Sequence, residues 1–181
     1  IIKEFGLESI DEDEWEEKES LPVTTLFSKN VNDSFSIFVS LPKDYAKKKN
    51  QNFPVIYLLD ANVYFDIIAD AMNEIHSKAI LVGIGYKDFV MMDSLRNRDY
   101  TFPKASPQDS FPISGGAFNF LFFIKNEIIP YIDKAYRTET NNRTLMGHSL
   151  GAYFTLFVLM QEILNTDHTF KNYVAASPSL H

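Results

Sequence analysis

The chain has 181 residues, 45% of them hydrophobic and 23% charged, enough for one domain with a sizeable core and too few for two. A net charge of −7 argues against a nucleic-acid partner, and no apolar run is long enough for a membrane helix. With no cysteine, disulfides, thiol nucleophiles and thiolate metal sites are excluded, while the compartment stays open. The start at Ile1 rather than Met is compatible with a cytoplasmic protein or with one exported after removal of a signal peptide.

Residues 1–20 form an acidic segment, densest from Asp11 to Glu17, with Trp15 as its one large anchor; residues 21–181 read as a single domain. Val23–Phe27 and Phe35–Leu41 predict an antiparallel hairpin around Asn30–Asp33, with Phe35, Ile37, Val39 and Leu41 alternating and Phe38 out of step. Val55–Leu59 is a continuous apolar run ending at Asp60, as in a parallel strand covered on both faces. Helical spacing of Ile67, Ile68, Ala71, Met72 and Ile75 predicts a helix from Asp66 to His76, and Ala79–Ile84 a second buried strand. Tyr86–Gly116 is a long polar loop, Phe118–Ile129 a helix, Arg143–Met146 a strand, Ala152–Met160 a buried helix and Tyr173–Ala176 a last strand. Strands alternating with helices mean an α/β fold with a mostly parallel sheet and an antiparallel N-terminal hairpin. In such sheets ligands bind at the carboxyl ends of the strands.

Gly147-His148-Ser149-Leu150-Gly151 lies between a strand and a buried helix. G-x-S-x-G alone arises by chance in about one chain in twenty of this size; strand before and helix after make it a nucleophile elbow. The serine needs a strained turn to project its hydroxyl, the glycines make room where strand and helix crowd, and the helix start offers free N–H groups to an oxyanion.

A serine nucleophile needs a base, ordinarily a histidine oriented by a carboxylate. Of the four histidines, His76 and His168 belong to the opposite end of the sheet, and His148 adjoins the nucleophile on a tight turn where side chains diverge. Only His181 has suitable topology. In the order Ser, Asp or Glu, His, both partners follow the nucleophile, so the expectation is a chain lacking its C-terminal part, with acid and histidine beyond residue 181.

Val55–Asp60, Gly83–Tyr86, Arg96–Thr101, Ser114–Ala117, Ile129–Ile132, Met146–Gly151 and Ala175–Leu180 together resemble the putative-esterase family of α/β hydrolases, which includes siderophore esterases of the enterochelin type. The likeness runs from about Phe35 to the C-terminus and implies an α/β-hydrolase fold, Ser149 as acyl-accepting nucleophile, and an oxyanion hole from the backbone N–H of Leu150 with that of Asp60 or Ala61. Two positions depart from the pattern: Ala61 stands where relatives often carry glycine, and His181 where they often carry an aromatic residue. Arg98, Tyr100 and His148 are candidate substrate contacts; for Arg98 a salt bridge with Asp99 bracing the loop is the alternative. Asp60 is expected to cap the following helix, and Tyr64, Phe65, Tyr100 and Phe102 either line an aromatic pocket or pack in the core.

The expected activity is hydrolysis of a small-molecule carboxylic ester through an acyl-enzyme, a chemistry that requires no metal or organic cofactor. An acyltransferase on the same fold and an inactive hydrolase-fold binding module are the alternatives. A bare edge at the last strand would favour a homodimer.

Overall fold

A computed structural model describes residues 23–104 and 113–179. The acidic N-terminal segment, Trp15 and His181 lie outside the described residues. Six strands form one sheet in the order β1-β2-β4-β3-β5-β6. β1 (Val23–Ser28) and β2 (Asp33–Ser40) make the expected hairpin, and β2 also pairs antiparallel with β4 (Ile80–Tyr86). β3 (Phe53–Leu58), β4, β5 (Thr138–His148) and β6 (Asn172–Ala176) run parallel. This is the α/β-hydrolase arrangement, with the antiparallel pair at one edge.

The period-2 pattern divides the sheet's faces. Phe35, Ile37 and Val39 of β2, Val55, Tyr57 and Leu59 of the β3 segment, and Ile80, Val82, Ile84 and Tyr86 of β4 enter the main core. The out-of-step Phe38 points to the other face, where its ring lies 5.3 Å from that of Phe65 in a second cluster with Leu58, Ala61, Ala69 and Leu81. That face is covered by α1 (Ala61–Glu74), which begins five residues before the expected start. Gly83 and Gly85 let it pack close: a Cβ on Gly83 would stand 2.5 Å from the Phe65 ring, and one on Gly85 2.4 Å from Asn62 Oδ1. Asn62 fills the space at Gly85 by donating its amide to the Tyr86 carbonyl at 2.9 Å and accepting the Tyr86 N–H at 2.6 Å.

The region expected to be a long loop contains a helix, α2 (Met92–Tyr100), a correction to the sequence reading. Its sequence is too polar to signal burial, yet Met92, Asp99 and Tyr100 are buried because ion pairs satisfy the charged groups on its inner side. α3 (Ala117–Phe123) continues through a π-helical turn, Ile124–Ile128, into α4 (Ile129–Ala135). Pro130 stands at the start of α4; a regular α-helical turn would set its ring against the carbonyl four residues back, and the wider turn immediately precedes it. Glu127 on that turn reaches the hairpin, accepting bonds from Ser28 Oγ at 3.3 Å and from the Lys29 and Asn30 N–H groups at 3.2 and 3.1 Å. α5 (Leu150–Asn165) follows β5 directly and buries Phe154, Phe157 and Val158 in the main core.

Candidate active site

β5 ends at His148 and α5 begins at Leu150, so Ser149 is the whole connection. Its backbone lies at φ 54°, ψ −116°, a conformation that costs about 1–3 kcal/mol for a residue with a Cβ and persists only where neighbours enforce it. The enforcement is main-chain. The Ser149 N–H donates to the Ala176 carbonyl at 3.0 Å, and its carbonyl accepts from Tyr153 N–H at 3.0 Å and Ser179 N–H at 3.2 Å. Gly147 is required for space: a Cβ there would meet the Gly151 carbonyl oxygen at 2.3 Å. Gly151 in turn presses on the β3–α1 turn, where its Cβ would lie 3.1 Å from Asp60 Oδ2 and 3.5 Å from Leu59 Cβ. Strand, strained serine and buried helix are thus assembled as the G-x-S-x-G spacing predicts.

The Ser149 hydroxyl is half-buried and lies 3.0 Å from Ser179 Oγ. Ser179 lies three residues past β6, in the Ser177–His181 tail that the sheet topology assigns to the same face as Ser149; the sequence gives it no role of its own. No described histidine bonds to Ser149. His148 is exposed, with Nδ1 2.9 Å from the Tyr64 hydroxyl and the two rings edge to face at 5.4 Å. His76 closes α1 and His168 precedes β6, both at the opposite end of the sheet from Ser149, as expected.

Leu150 and Ala61 are the first residues of α5 and α1, positions whose N–H groups no intrahelical carbonyl reaches. Asp60 differs from the expectation in two ways. Its carboxylate does not cap α1, and its N–H is directed to the Tyr100 hydroxyl at 3.3 Å. The carboxylate is buried and taken by α2: Arg96 donates from Nε at 3.2 Å to Oδ1 and from Nη2 at 2.7 Å to Oδ2, and the Tyr100 hydroxyl donates to Oδ1 at 3.1 Å. Burial pushes the Asp60 carboxyl above the usual aspartate range, against the opposing pull of the Arg96 charge and hydrogen bonds.

Arg98 and Tyr100, the other candidate substrate contacts, are both engaged within the fold. Arg98 is committed on both sides, to Asp99 at 2.7 and 3.0 Å and to Asp33 at 2.9 Å, which is the bracing salt bridge. Tyr100 is fully buried between Tyr86, Phe120 and Phe154. Of the remaining aromatic candidates Phe65 is core, while Tyr64 is half-buried and Phe102 is 41% exposed. A cavity of about 210 Å³ opens beside the β3–α1 turn, lined by Asp60, Val63, Tyr64, Phe89, Met92 and Arg96 among others. Arg96, rather than Arg98, is the arginine at this opening.

A family model described as Putative esterase matches residues 28–181. The chain belongs to this family. Among curated relatives of this esterase-family chain, the ferri-bacillibactin esterase BesA of Bacillus subtilis (strain 168) is 34% identical over 174 residues, covering 88% of this chain and 58% of that protein. The apo-salmochelin esterase of Escherichia coli O6:H1 is 26% identical over 157 residues, covering 81% and 47%. The solved structure of BES protein from Bacillus cereus superposes with a TM-score of 0.76 at 30% identity, covering 90% of this chain and 62% of that one. The chain therefore spans about half to three-fifths of the length of the relatives it matches.

Proposed function

We propose that the chain carries the nucleophile and oxyanion hole of a serine carboxylic-ester hydrolase acting on siderophore esters. The observation that carries this reading is Ser149 itself, a non-glycine residue held at φ 54° between a parallel strand and a buried helix. Ser149 Oγ attacks the ester carbonyl carbon. Its proton passes to a histidine, which the family resemblance puts beyond residue 181. The oxyanion accepts hydrogen bonds from the N–H groups of Leu150 and Ala61, each such donor stabilising the transition state by about 3–4 kcal/mol. The alcohol leaves with the proton, and water hydrolyses the acyl-enzyme through the same base. Between the two oxyanion candidates on the β3–α1 turn, Ala61 is preferred because the Asp60 N–H already has Tyr100 as acceptor. His148, exposed and steadied by Tyr64, is positioned to meet the substrate at the rim. The substrate class follows the relatives named as ferri-bacillibactin and apo-salmochelin esterases.

The test is labelling of the protein extended past residue 181, so that the histidine is present, with a fluorophosphonate, read by intact mass, with Ser149→Ala as control. One adduct on the wild-type chain and none on the control is the expected result. A folded, extended protein that takes no adduct would overturn Ser149 as the nucleophile and favour a binding role for the cleft.

A further inference from the structure

Two residues that carry a Cβ stand side by side at positive φ, just past His148 and Ala176, the paired ends of β5 and β6. One is Ser149, at φ 54°; the other is Ser177, at φ 47°. Pro178 adds to the cost at Ser177, because the residue before a proline is pressed towards extended backbone. Such a turn lasts only where its surroundings impose it, and turns of this kind gather at working sites. Its product here is the place of Ser179. The chain folds back after β6, so that the Ser179 N–H donates to the Ser149 carbonyl at 3.2 Å and Ser179 Oγ comes to 3.0 Å from Ser149 Oγ. The Ser149 N–H donates to the Ala176 carbonyl at 3.0 Å. Residues 176–179 thus clasp the nucleophile at its N–H, its carbonyl and its hydroxyl.

We infer that Ser179 is a further catalytic residue: its hydroxyl donates a hydrogen bond to Ser149 Oγ and stabilises the charge that gathers there during reaction. The inference rests on the role proposed above for Ser149. A serine hydroxyl offers one hydrogen and two lone pairs, so Ser149 can donate its proton to the histidine base while accepting from Ser179. Among the described residues only Ser149 bonds to the Ser179 hydroxyl, so no rival acceptor there draws its hydrogen away. In acylation the bond from Ser149 Oγ to the ester carbonyl carbon forms, the Ser149 proton passes to the histidine, and Ser179 keeps its own proton. In deacylation the bond between Oγ and the acyl carbon breaks, the histidine returns the proton, and the same donor steadies the departing oxygen. A hydrogen bond to an oxygen that carries charge is stronger than one to a neutral hydroxyl. Ser179 therefore favours the transition state over the resting serine, which is the condition for raising kcat.

The experiment compares Ser179→Ala and Ser179→Thr with wild type in the protein extended past residue 181, which supplies the histidine. The probes are a fluorophosphonate, whose labelling of Ser149 is followed by intact mass, and p-nitrophenyl acetate, for kcat and KM. Ser179→Ala removes the hydroxyl and leaves the main-chain bond to the Ser149 carbonyl in place. It is expected to slow labelling about tenfold or more, and to lower kcat by a similar factor with KM nearly constant. The pH midpoint of labelling, which belongs to the base, should stay where it is, and so should the urea unfolding midpoint. Ser179→Thr keeps a hydroxyl and should recover most of the rate. Wild-type labelling and turnover in Ser179→Ala would overturn the inference. So would a loss that Ser179→Thr does not restore, a shifted pH midpoint, or a rate loss that comes with a lower urea midpoint, since each makes Ser179 a prop for the turn or the base. A wild-type protein that takes no adduct overturns the reading of Ser149 and this inference with it. A labelled wild type with an unaffected Ser179→Ala overturns this inference alone.

Discussion

Gly147→Ala separates the elbow's need for space from any other role of the glycine. A Cβ on the Gly147 backbone would stand 2.3 Å from the Gly151 oxygen, 2.4 Å from the Gly151 carbonyl carbon and 2.9 Å from Ala152 N. Non-bonded carbon and oxygen keep about 3.3 Å, so the first turn of α5 must retreat from the end of β5 by ~1 Å. Both sides of the clash are backbone. The helix is pinned by Ala152, Phe154 and Val158, all fully buried, so neither side can step aside as a flexible side chain would. Overpacking of this kind typically costs 1–3 kcal/mol, and a backbone clash belongs at the upper end, about 3 kcal/mol. For a domain of this size that is roughly a 6–12 °C fall in Tm. Ser149 and Leu150 ride on the displaced turn, and a misplacement of about 1 Å can cost ~10²-fold in rate. Urea unfolding followed by circular dichroism reads the first effect, and the fluorophosphonate labelling rate reads the second. A variant with the wild-type midpoint and labelling rate would refute the steric argument at its root.

Two further changes probe the fold, one beside the β3–α1 turn and one at the far end of the sheet. Asn62→Ala removes both hydrogen bonds to the Tyr86 main chain and is expected to cost about 1–3 kcal/mol in urea unfolding. Asn62→Asp, which keeps the acceptor and loses the donor, should fall between it and wild type; wild-type stability in Asn62→Ala would show that water replaces the clasp. Lys125→Gln removes the ion pair to Asp167, whose carboxyl is held below the usual aspartate range chiefly by the hydrogen bond from Lys125. Because Asp167 is 40% exposed, solvent screening limits the loss at neutral pH to at most about 1 kcal/mol. A lowered folded-state pKa gives stability that is present above the unfolded-state value and disappears as pH falls through the folded one. The difference between variant and wild type should therefore close in acid, and a difference that widens there would contradict the assignment.

The elbow was legible because its requirements are local. Two glycines, a serine, an apolar strand and an apolar helix lie within one run, and the hydrophobic pattern of β2, β3 and β4 carried the sheet. What stayed hidden depends on distant partners. α2 reads as a polar loop since its burial rests on Arg96 meeting Asp60, 36 residues earlier in the chain, and Arg98 meeting Asp33, 65 residues earlier. The early part of β5, Thr138–Asn142, is polar and joins β3 across a register shift between Phe53 and Val55, so no alternation announces it. That Arg96 and not Arg98 lines the cavity beside Asp60 has the same origin. The two arginines are equivalent in the string, and only the fold sends one to the β3–α1 turn and the other back to the hairpin.

The way Ser149 is held bears on how such a site endures as its sequence drifts. Its N–H and carbonyl are tied to the peptides of Ala176, Tyr153 and Ser179, and peptides are the same whatever side chains they carry. Most neighbours can therefore be exchanged without disturbing the reactive turn, provided the chain path is kept. The Asp60 carbonyl is likewise tied to the Val63 and Tyr64 N–H groups, but its N–H and carboxylate meet side chains, and a single replacement at Arg96 or Tyr100 changes what they touch. The two turns thus differ in tolerance to mutation: the one at Ser149 needs little from its neighbours beyond the glycines that give it room, while the β3–α1 turn depends on two particular side chains.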